Sequence, residues 1–188
     1  MRMRKKKWAD PFLEGHADIA LKDPTHLKGN WKNLFEGKEI HLEIGCGKGD
    51  YFNEMAKQYP DTAWIAIEKD HSAAAVACRK TLTYGEDTLA RKRMIVADAS
   101  NLENWFEKGE VDVIHLNFSD PWPKKHTHKR RLSSKACLEM YRHILSEDGY
   151  VRMKTDNKDL FEASVLYFLE NQFQLTEFSV DYRRQEHP

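Results

Sequence analysis

Cysteine is scarce in this chain of 188 residues, which contains three: Cys46, Cys78 and Cys137. No two of them form a Cys-x-x-Cys pair, and none has the spacing of zinc ligands, so we predict no metal site. Few, scattered cysteines are typical of proteins in a reducing compartment. We therefore expect a cytoplasmic protein.

Long hydrophobic runs are also missing. No apolar stretch reaches the roughly 20 residues that a membrane-spanning helix needs. The basic N-terminus is followed by Trp8-Ala9-Asp10-Pro11 rather than by an apolar segment, which argues against a signal peptide. Hydrophobic residues make up 40% and charged residues 32% of the chain, which predicts a globular protein of one domain with no membrane partner.

Net charge is absent, because 30 Lys and Arg balance 30 Asp and Glu. Neutrality by itself argues against a nucleic-acid partner, but the basic residues are unevenly distributed. Five lie within residues 2–7, and five more, with two histidines, lie within residues 124–131. Such local basic runs indicate contact with a polyanion. The alternative for the N-terminal run is a solvated tail.

Short apolar runs alternate with helical patterns from about residue 39 onward. We predict strands at Ile40–Ile44, Ala63–Ile67, Met94–Ala97, Val111–Asn117, Tyr150–Lys154 and Gln174–Val180. We predict helices near 50–59, 71–83, 100–107, 133–145 and 157–170. This order predicts an α/β fold, a doubly wound and mostly parallel sheet with helices on both faces. We assign residues 1–38 to an N-terminal basic arm beside or over the sheet, and residues 39–188 to the domain itself.

Ligands of such sheets bind beyond the carboxyl ends of the strands, where the strand order reverses. The first predicted strand runs into Glu43-Ile44-Gly45-Cys46-Gly47-Lys48-Gly49, and a helix follows. The three glycines allow a sharp turn and a close approach to a ligand. Their spacing differs from the G-x-G-x-x-G of a dinucleotide loop, which argues against a dehydrogenase.

Acidic residues stand at the ends of four consecutive predicted strands: Glu43, Glu68, Asp98 and Asp120. Any one of them alone is explained as a helix cap or a turn residue. Together with the glycines they suit a cationic sulfonium far better than a dianionic pyrophosphate, and they predict S-adenosylmethionine as the cofactor. Glu68 is placed to accept hydrogen bonds from ribose hydroxyls, and Asp98 to hold the adenine amino group.

The fourth strand leads into Asn117-Phe118-Ser119-Asp120-Pro121-Trp122-Pro123-Lys124-Lys125-His126, followed by further basic residues. Its two prolines stiffen the segment, and stiffness helps a carboxylate and an aromatic ring to hold a planar base. Trp122 either stacks on a base or packs within the protein. We predict structural roles for His41 and His115, and core positions for Trp64, Trp105 and Phe106.

This segment resembles the signature of the bacterial tRNA (guanine-N7-)-methyltransferase family, which belongs to the class I Rossmann-like methyltransferases. The resemblance includes the glycine loop and Lys154-Thr155-Asp156-Asn157, so that it spans residues 43–157. It implies methyl transfer from S-adenosylmethionine to N7 of a tRNA guanine, nucleotide 46 of the variable loop, to form 7-methylguanosine. The expected state is a monomer or a homodimer.

The resemblance also implies roles for individual residues. Those contacting the cofactor would be Glu43, Gly45, Gly47, Gly49, Glu68, Asp98 and Asp120, with Asp120 also catalytic. Those contacting the substrate would be Lys124 and Asp156, with the RNA touched by His126, Thr127, His128, Lys129, Arg130 and Arg131. Guanine N7 carries an in-plane lone pair, so the chemistry requires positioning and charge stabilisation rather than a general base.

The chain departs from the family in one respect. Members carry a further C-terminal stretch with a Thr-x-Tyr-Glu motif in the substrate site, whereas this sequence stops at His187-Pro188. We expect that the sequence is part of a longer protein, with the substrate pocket and the last antiparallel strand of the sheet incomplete.

Two alternative functions remain open on the sequence. One is an amino-group N-methyltransferase acting on adenine or protein, since such enzymes use an Asn/Asp-Pro-Pro-aromatic loop after the fourth strand. Here Asp120-Pro121-Trp122 has an aromatic residue where the second proline would stand. The other is a noncatalytic RNA-binding protein that retains the cofactor fold.

Overall fold

The computed structural model describes residues 4–84 and 86–182, with the backbone alone for residues 86 and 87. Its centre is a sheet of six strands in the order β1-β4-β3-β2-β5-β6, and every pairing is parallel. The strands are β1 Ala20–Leu21, β2 Glu39–Ile44, β3 Thr62–Ile67, β4 Lys92–Ile95, β5 Val111–Asn117 and β6 Leu145–Lys154. The strand order reverses at β2, whose two neighbours are β3 and β5, so a crevice opens beyond the carboxyl ends of β2 and β5.

Helices cover both faces of this sheet. They are α1 Ala9–Glu14, α2 Trp31–Leu34, α3 Asp50–Gln58, α4 His71–Thr83, α5 Glu86–Leu89, α6 Leu102–Trp105, α7 Lys135–Ile144 and α8 Lys158–Glu170. Short 3₁₀ helices occupy Thr25–Leu27, Ala99–Asn101 and Lys125–Arg130. No described helix is both long enough and apolar enough to cross a bilayer. The predicted doubly wound α/β fold is confirmed.

Two apolar layers hold the helices against the sheet. Buried side chains of α1, α3 and α4 form one layer with Trp64, and those of α2, α6 and α7 form the other with Trp105 and Phe106. The predicted core positions of these three aromatic residues are confirmed. α4 turns a run of alanines toward the sheet, and its first turn is capped by Asp70, which accepts the Ala73 N–H at 3.0 Å.

The segment before residue 39 contributes to this architecture, although residues 1–3 lie outside the described residues. β1 pairs with β4 at the edge of the sheet, and Trp31 and Phe35 are completely buried in the core. The Trp31 indole N–H donates to the Trp105 carbonyl at 2.8 Å. The division into an arm and a domain at residue 38 stays a prediction.

Three predicted elements need correction. The strand predicted at Met94–Ala97 lies at Lys92–Ile95, because buried Lys92 extends it at its start. The helix predicted over 100–107 is a 3₁₀ turn followed by the four residues of α6, since a cap at Asp98 starts it early and Phe106 adopts an extended conformation. The strand predicted at Gln174–Val180 is irregular: it pairs with none of the described strands, and its Phe178 packs on Phe161 of α8 at 5.2 Å between ring centroids.

Candidate functional site

The glycine loop joins β2 to α3 at the crevice. All three of its glycines have positive φ, with Gly47 at +57° and Gly49 at +76°. A Cβ at Gly49 would lie 2.8 Å from the Cβ of Ala77, so only glycine lets α4 pack this closely. A Cβ at Gly47 would meet nothing within 4 Å. Packing therefore requires a glycine at position 49, whereas the backbone at Gly47 is open and a ligand can approach it.

Glu43 lies at the end of β2 beneath this loop and is 2% exposed. Its Oε1 accepts a hydrogen bond from Asn117 Nδ2 at 3.1 Å across the β2–β5 crevice. Burial raises the pKa of the carboxyl to about 7, because the ionised form loses its water. A positive charge placed nearby would stabilise the carboxylate and reverse this shift.

Two acceptor atoms beside the crevice lack donors. Glu43 Oε2 and Asn117 Oδ1 are both buried and accept no hydrogen bond from the described residues. Such atoms carry a free-energy cost of about 1–3 kcal/mol each, so their persistence points to a ligand that supplies donors. The positive charge of the ammonium and sulfonium of S-adenosylmethionine suits the Glu43 carboxylate, and the ammonium also supplies N–H donors for both acceptor oxygens. These two free acceptor oxygens thus suit the predicted cofactor.

Glu68 follows β3 and is held in place by the backbone. Its Oε2 accepts the Gly47 N–H at 2.9 Å and its Oε1 accepts the Asp70 N–H at 2.8 Å. Each carboxylate oxygen can accept a second hydrogen bond, so Glu68 remains able to bind two hydroxyl groups. It is oriented before any ligand arrives.

Asp98 lies further along the same edge, after β4. It caps the second 3₁₀ helix through the Ser100 N–H at 3.0 Å, and its other oxygen is 3.8 Å from Lys69 Nζ at the surface. The capping role is established by this geometry, whereas the contact with adenine stays a prediction.

The substrate loop, residues 118–124, leaves β5 at the same edge. Phe118 and Trp122 have positive φ values of +51° and +43°, a conformation that costs non-glycine residues about 1–3 kcal/mol and clusters at functional sites. The Phe118 ring is 61% exposed. Asp120 is exposed as well, and no hydrogen bond or ion pair within residues 4–84 and 86–182 restrains its carboxylate.

Arg131 anchors this loop from below. The residue is 3% exposed, and its Nε donates to the Pro121 carbonyl at 2.8 Å. The guanidinium of the neighbouring Arg130 lies 5.1 Å from the centroid of the Trp122 ring. The partly exposed Trp122 therefore contacts an arginine and keeps one part of its surface open.

The predicted RNA-contacting residues divide into two groups. The 3₁₀ helix Lys125–Arg130 presents His126, Lys129 and Arg130 to solvent, and Lys124 precedes it in an exposed position. Thr127 and His128 are partly covered, and each bonds back to the loop backbone. Arg131 differs from both groups, because it is buried and bonded to the substrate loop; its contact with RNA stays a prediction.

Asp156 follows β6 and is exposed. β6 is tied to the start of the substrate loop by the Phe118 N–H, which donates to the Lys154 carbonyl at 2.8 Å. The carboxyl ends of β2, β3, β4, β5 and β6 thus bring the predicted residues at or just beyond them to one edge of the sheet: Glu43, Glu68, Asp98, Asp120 and Asp156.

The N-terminal basic run reaches the same edge. The Lys6 N–H donates to Ser72 Oγ at 2.9 Å, and Asp10 pairs with His71 at 2.6 Å, both in the first turn of α4. Lys5 and Lys7 are exposed beside this anchor. The described part of the run is therefore held next to the loop that carries Glu68 rather than extending freely away from the sheet.

Sequence reasoning missed three contributors to the site. The sequence identifies Asn117 only as part of a motif, does not indicate that Arg131 is buried against the substrate loop, and gives no signal for Tyr51. The Tyr51 hydroxyl bonds His115 Nδ1 at 3.1 Å, and His115 Nε2 bonds His41 Nδ1 at 2.9 Å. Burial lowers the pKa of His115 to about 3, which is compatible with the structural role predicted for both histidines. Only the alternation of His41 and His115 with apolar residues signalled this arrangement.

Comparisons with known proteins agree with this geometry. The model of a family described as "Putative methyltransferase" matches residues 37–187. Solved structures with a similar fold include one titled an antibiotic-related methyltransferase, with a TM-score of 0.61, 13% identity and coverage of 79% of this chain and 76% of that one. The aminoglycoside resistance methyltransferase NpmB1 has a TM-score of 0.53 at 17% identity over 83% and 73% of the two chains. At these identities the structures show the fold alone.

Curated relatives are much closer in sequence. A Bacillus velezensis protein named tRNA (guanine-N(7)-)-methyltransferase is 44% identical over 96% of this chain and 82% of its own length. Proteins of the same name from Exiguobacterium sibiricum and Bacillus subtilis are 45% and 43% identical, and the chain covers 77% and 84% of them. The resemblance stated from the motifs is confirmed. This chain belongs to the tRNA (guanine-N7-)-methyltransferase family.

Proposed function

We propose that this protein transfers a methyl group from S-adenosylmethionine to N7 of a guanine in tRNA and so forms 7-methylguanosine. One observation carries the proposal. The buried Glu43 carboxylate, which has one unpaired oxygen, lies on one side of the β2–β5 crevice. On the other side begins the strained, exposed Asp-Pro-Trp-Pro loop, which continues into a basic 3₁₀ helix. A pocket for a cationic donor and a surface for a polyanionic acceptor thus adjoin one another.

The cofactor supplies a methyl group activated by a positively charged sulfur. Glu43 and Asn117 would hold its amino-acid portion, since their free acceptor oxygens need donors. Glu68 would accept the ribose hydroxyls, and Asp98 would bind near the adenine. The glycine loop would lie against the cofactor where Gly47 leaves room.

The guanine would be held by the substrate loop. N7 attacks through its own lone pair, so no side chain has to remove a proton first. Asp120 would accept hydrogen bonds from the N1–H and amino group of the base, and its negative charge would stabilise the positive charge that develops on the ring. Lys124 and Asp156 would complete the contacts to the base, as the family resemblance implies.

The tRNA would contact the protein mainly through phosphates. The exposed cations Lys124, Lys129 and Arg130 follow Asp120 within ten residues, and they would meet the phosphates beside the target nucleotide. We also propose nucleotide 46 of the variable loop as the target and the cytoplasm as the location. We further propose that the protein acts as a monomer or a homodimer, two states that sedimentation velocity distinguishes by mass.

The test is methyl transfer from labelled S-adenosylmethionine to unmodified tRNA, followed by nucleoside analysis. Labelled 7-methylguanosine is the expected product. Label on an exocyclic amino group would support the N-methyltransferase alternative instead. RNA binding without any label, and without sensitivity to Glu68→Gln or Asp120→Asn, would support a noncatalytic RNA-binding protein.

A further inference from the structure

A cavity of about 210 Å³ lies between the substrate loop and the start of α8. Arg131, His128 and the prolines of the loop form one side, and Asn157 and Asp159 of the α8 N-terminus form the other. One water molecule occupies about 30 Å³ in the liquid, so this cavity has room for a larger polar group. Its lining includes Pro121, the neighbour of Asp120 in sequence, and does not include Glu43 or Asn117 of the crevice.

The charge on the cavity wall comes from Arg131. The guanidinium is always protonated in proteins, and this residue is 3% exposed. Its Nε is used by the Pro121 carbonyl, but Nη1 is buried and has no partner among the described residues. No ion pair of the described chain joins Arg131 to a carboxylate. A buried cation with a free donor calls for an anionic acceptor.

The start of α8 offers further donors to the same cavity. α8 has thirteen residues, and the first turn of a helix leaves N–H groups without partners inside the helix. Asn157 satisfies one of them, since its side chain accepts the Leu160 N–H at 2.8 Å. The positive end of the helix dipole and the guanidinium therefore face one cavity, and both favour an anion.

We propose that this cavity binds one phosphate of the tRNA backbone near the target guanine, with Arg131 and the α8 N-terminus as donors; this rests on the proposed function. An arginine fork matches a phosphate better than a lysine does, because two parallel N–H groups can engage two oxygens. A phosphate bound there joins α8 to the loop through Arg131 and Pro121. It thereby fixes the position of Asp120 against the base, as phosphate contacts fix register in other nucleic-acid complexes.

The negative charge of Asp159 allows the direction of a change in tRNA affinity to be predicted. Its exposed carboxylate lies at the rim of the cavity and repels a phosphate. Asp159→Asn should therefore strengthen tRNA binding by about two- to fivefold at 0.1 M salt, which is the usual strength of an exposed charge interaction. The matched control is Glu170→Gln at the other end of α8. Eleven residues at 1.5 Å each place it about 16 Å away, beyond the Debye length of about 10 Å at 0.1 M salt.

The experiment measures tRNA affinity of the two variants and of the wild-type chain by fluorescence anisotropy. Tighter binding by Asp159→Asn with no change for Glu170→Gln supports the subsite. Equal effects from both variants, or none from either, in a protein that still forms 7-methylguanosine would overturn the subsite and leave the proposed function standing. Absence of 7-methylguanosine in the wild-type assay would instead count against the function itself.

A second measurement examines Arg131 directly without relying on a variant that disturbs the loop. The Arg131 Nε–H signal of ¹⁵N-labelled protein, assigned by its absence from Arg131→Lys, is followed in NMR spectra. We expect it to shift on addition of tRNA and, at millimolar concentration, of inorganic phosphate, but not of sodium chloride at equal ionic strength. A shift with inorganic phosphate alone would mean that the cavity holds free phosphate and not the RNA backbone, and no shift with either would overturn the proposal.

Discussion

Replacing Glu43 by glutamine should stabilise the cofactor-free protein while weakening its affinity for the cofactor. Burial raises the pKa of this carboxyl from 4.5 to about 7, and one pH unit corresponds to about 1.4 kcal/mol. The ionised carboxylate therefore lowers the free energy of unfolding by roughly 3 kcal/mol above pH 7. Glutamine keeps the shape and the contact with Asn117 but removes the charge.

The sign of the pH dependence follows from the raised pKa. Between pH 4.5 and about 7 the folded wild-type protein holds a proton on Glu43 that the unfolded chain has lost, so wild-type stability falls as pH rises through this window. Glu43→Gln has no such group. Its advantage over the wild type should be near zero at pH 4.5 and about 3 kcal/mol at pH 8. His115, whose pKa is lowered to about 3 by burial, titrates in both proteins and cancels in the difference.

Urea unfolding of both proteins without cofactor, at several pH values, measures this difference. Parallel stability curves from pH 4.5 to 8 would refute the idea that burial of the ionised Glu43 carboxylate destabilises the fold. Calorimetry of S-adenosylmethionine binding completes the test. A bound cation should lower the pKa of Glu43, so binding below pH 7 should release a proton in the wild type and none in the variant. Proton release of equal size in the wild type and the variant would mean that the cofactor's positive charge does not lie near Glu43.

Three further predictions concern the loops. Asp120→Ala should nearly abolish turnover while tRNA affinity stays within a few fold, and full activity in a single-turnover assay would remove Asp120 from the mechanism. Joint replacement of Lys129 and Arg130 by alanine should reduce the slope of log affinity against log salt by about 1 to 2; an unchanged slope would mean that the exposed basic helix does not meet phosphates. Gly49→Ala should destabilise the fold by about 2–4 kcal/mol, because its Cβ would be 2.8 Å from an alanine of α4 and its φ is +76°. Gly47→Ala, with open space at the same kind of φ, should cost about 1–2 kcal/mol, and equal melting temperatures for the two variants would contradict this packing argument.

The sheet could be predicted from sequence because its strands are short apolar runs separated by helical patterns. Val111–Asn117 was predicted with its observed bounds. The segment Gln174–Val180 has a similar local pattern and forms no strand, since a strand also needs a neighbour to pair with, and that neighbour is set by the tertiary structure. β1 was missed for the converse reason. Its two residues have no pattern of their own and become a strand by pairing with β4.

The sequence was sufficient to locate the loops that form the site, but not to predict the contacts of individual side chains. Glycine spacing and acids after successive strands located the crevice, because parallel strands bring their carboxyl ends together. Nothing in the run of basic residues distinguishes Arg131 from Arg130, yet one is buried under Pro121 and the other is exposed beside Trp122. Burial depends on how the 3₁₀ helix ends and α7 begins, which is a property of the folded chain.

The central claim, methylation of guanine at N7 in tRNA, is tested most directly by chemical mapping of the product. 7-Methylguanosine sensitises an RNA strand to scission by borohydride and aniline, so unmodified tRNA is incubated with the protein and S-adenosylmethionine, treated with these reagents and resolved on a sequencing gel. We expect one new scission, at a guanine of the variable loop, that disappears with Asp120→Ala. Incorporation of methyl label into the tRNA without any new scission would place the methyl group on another atom and contradict methylation at N7.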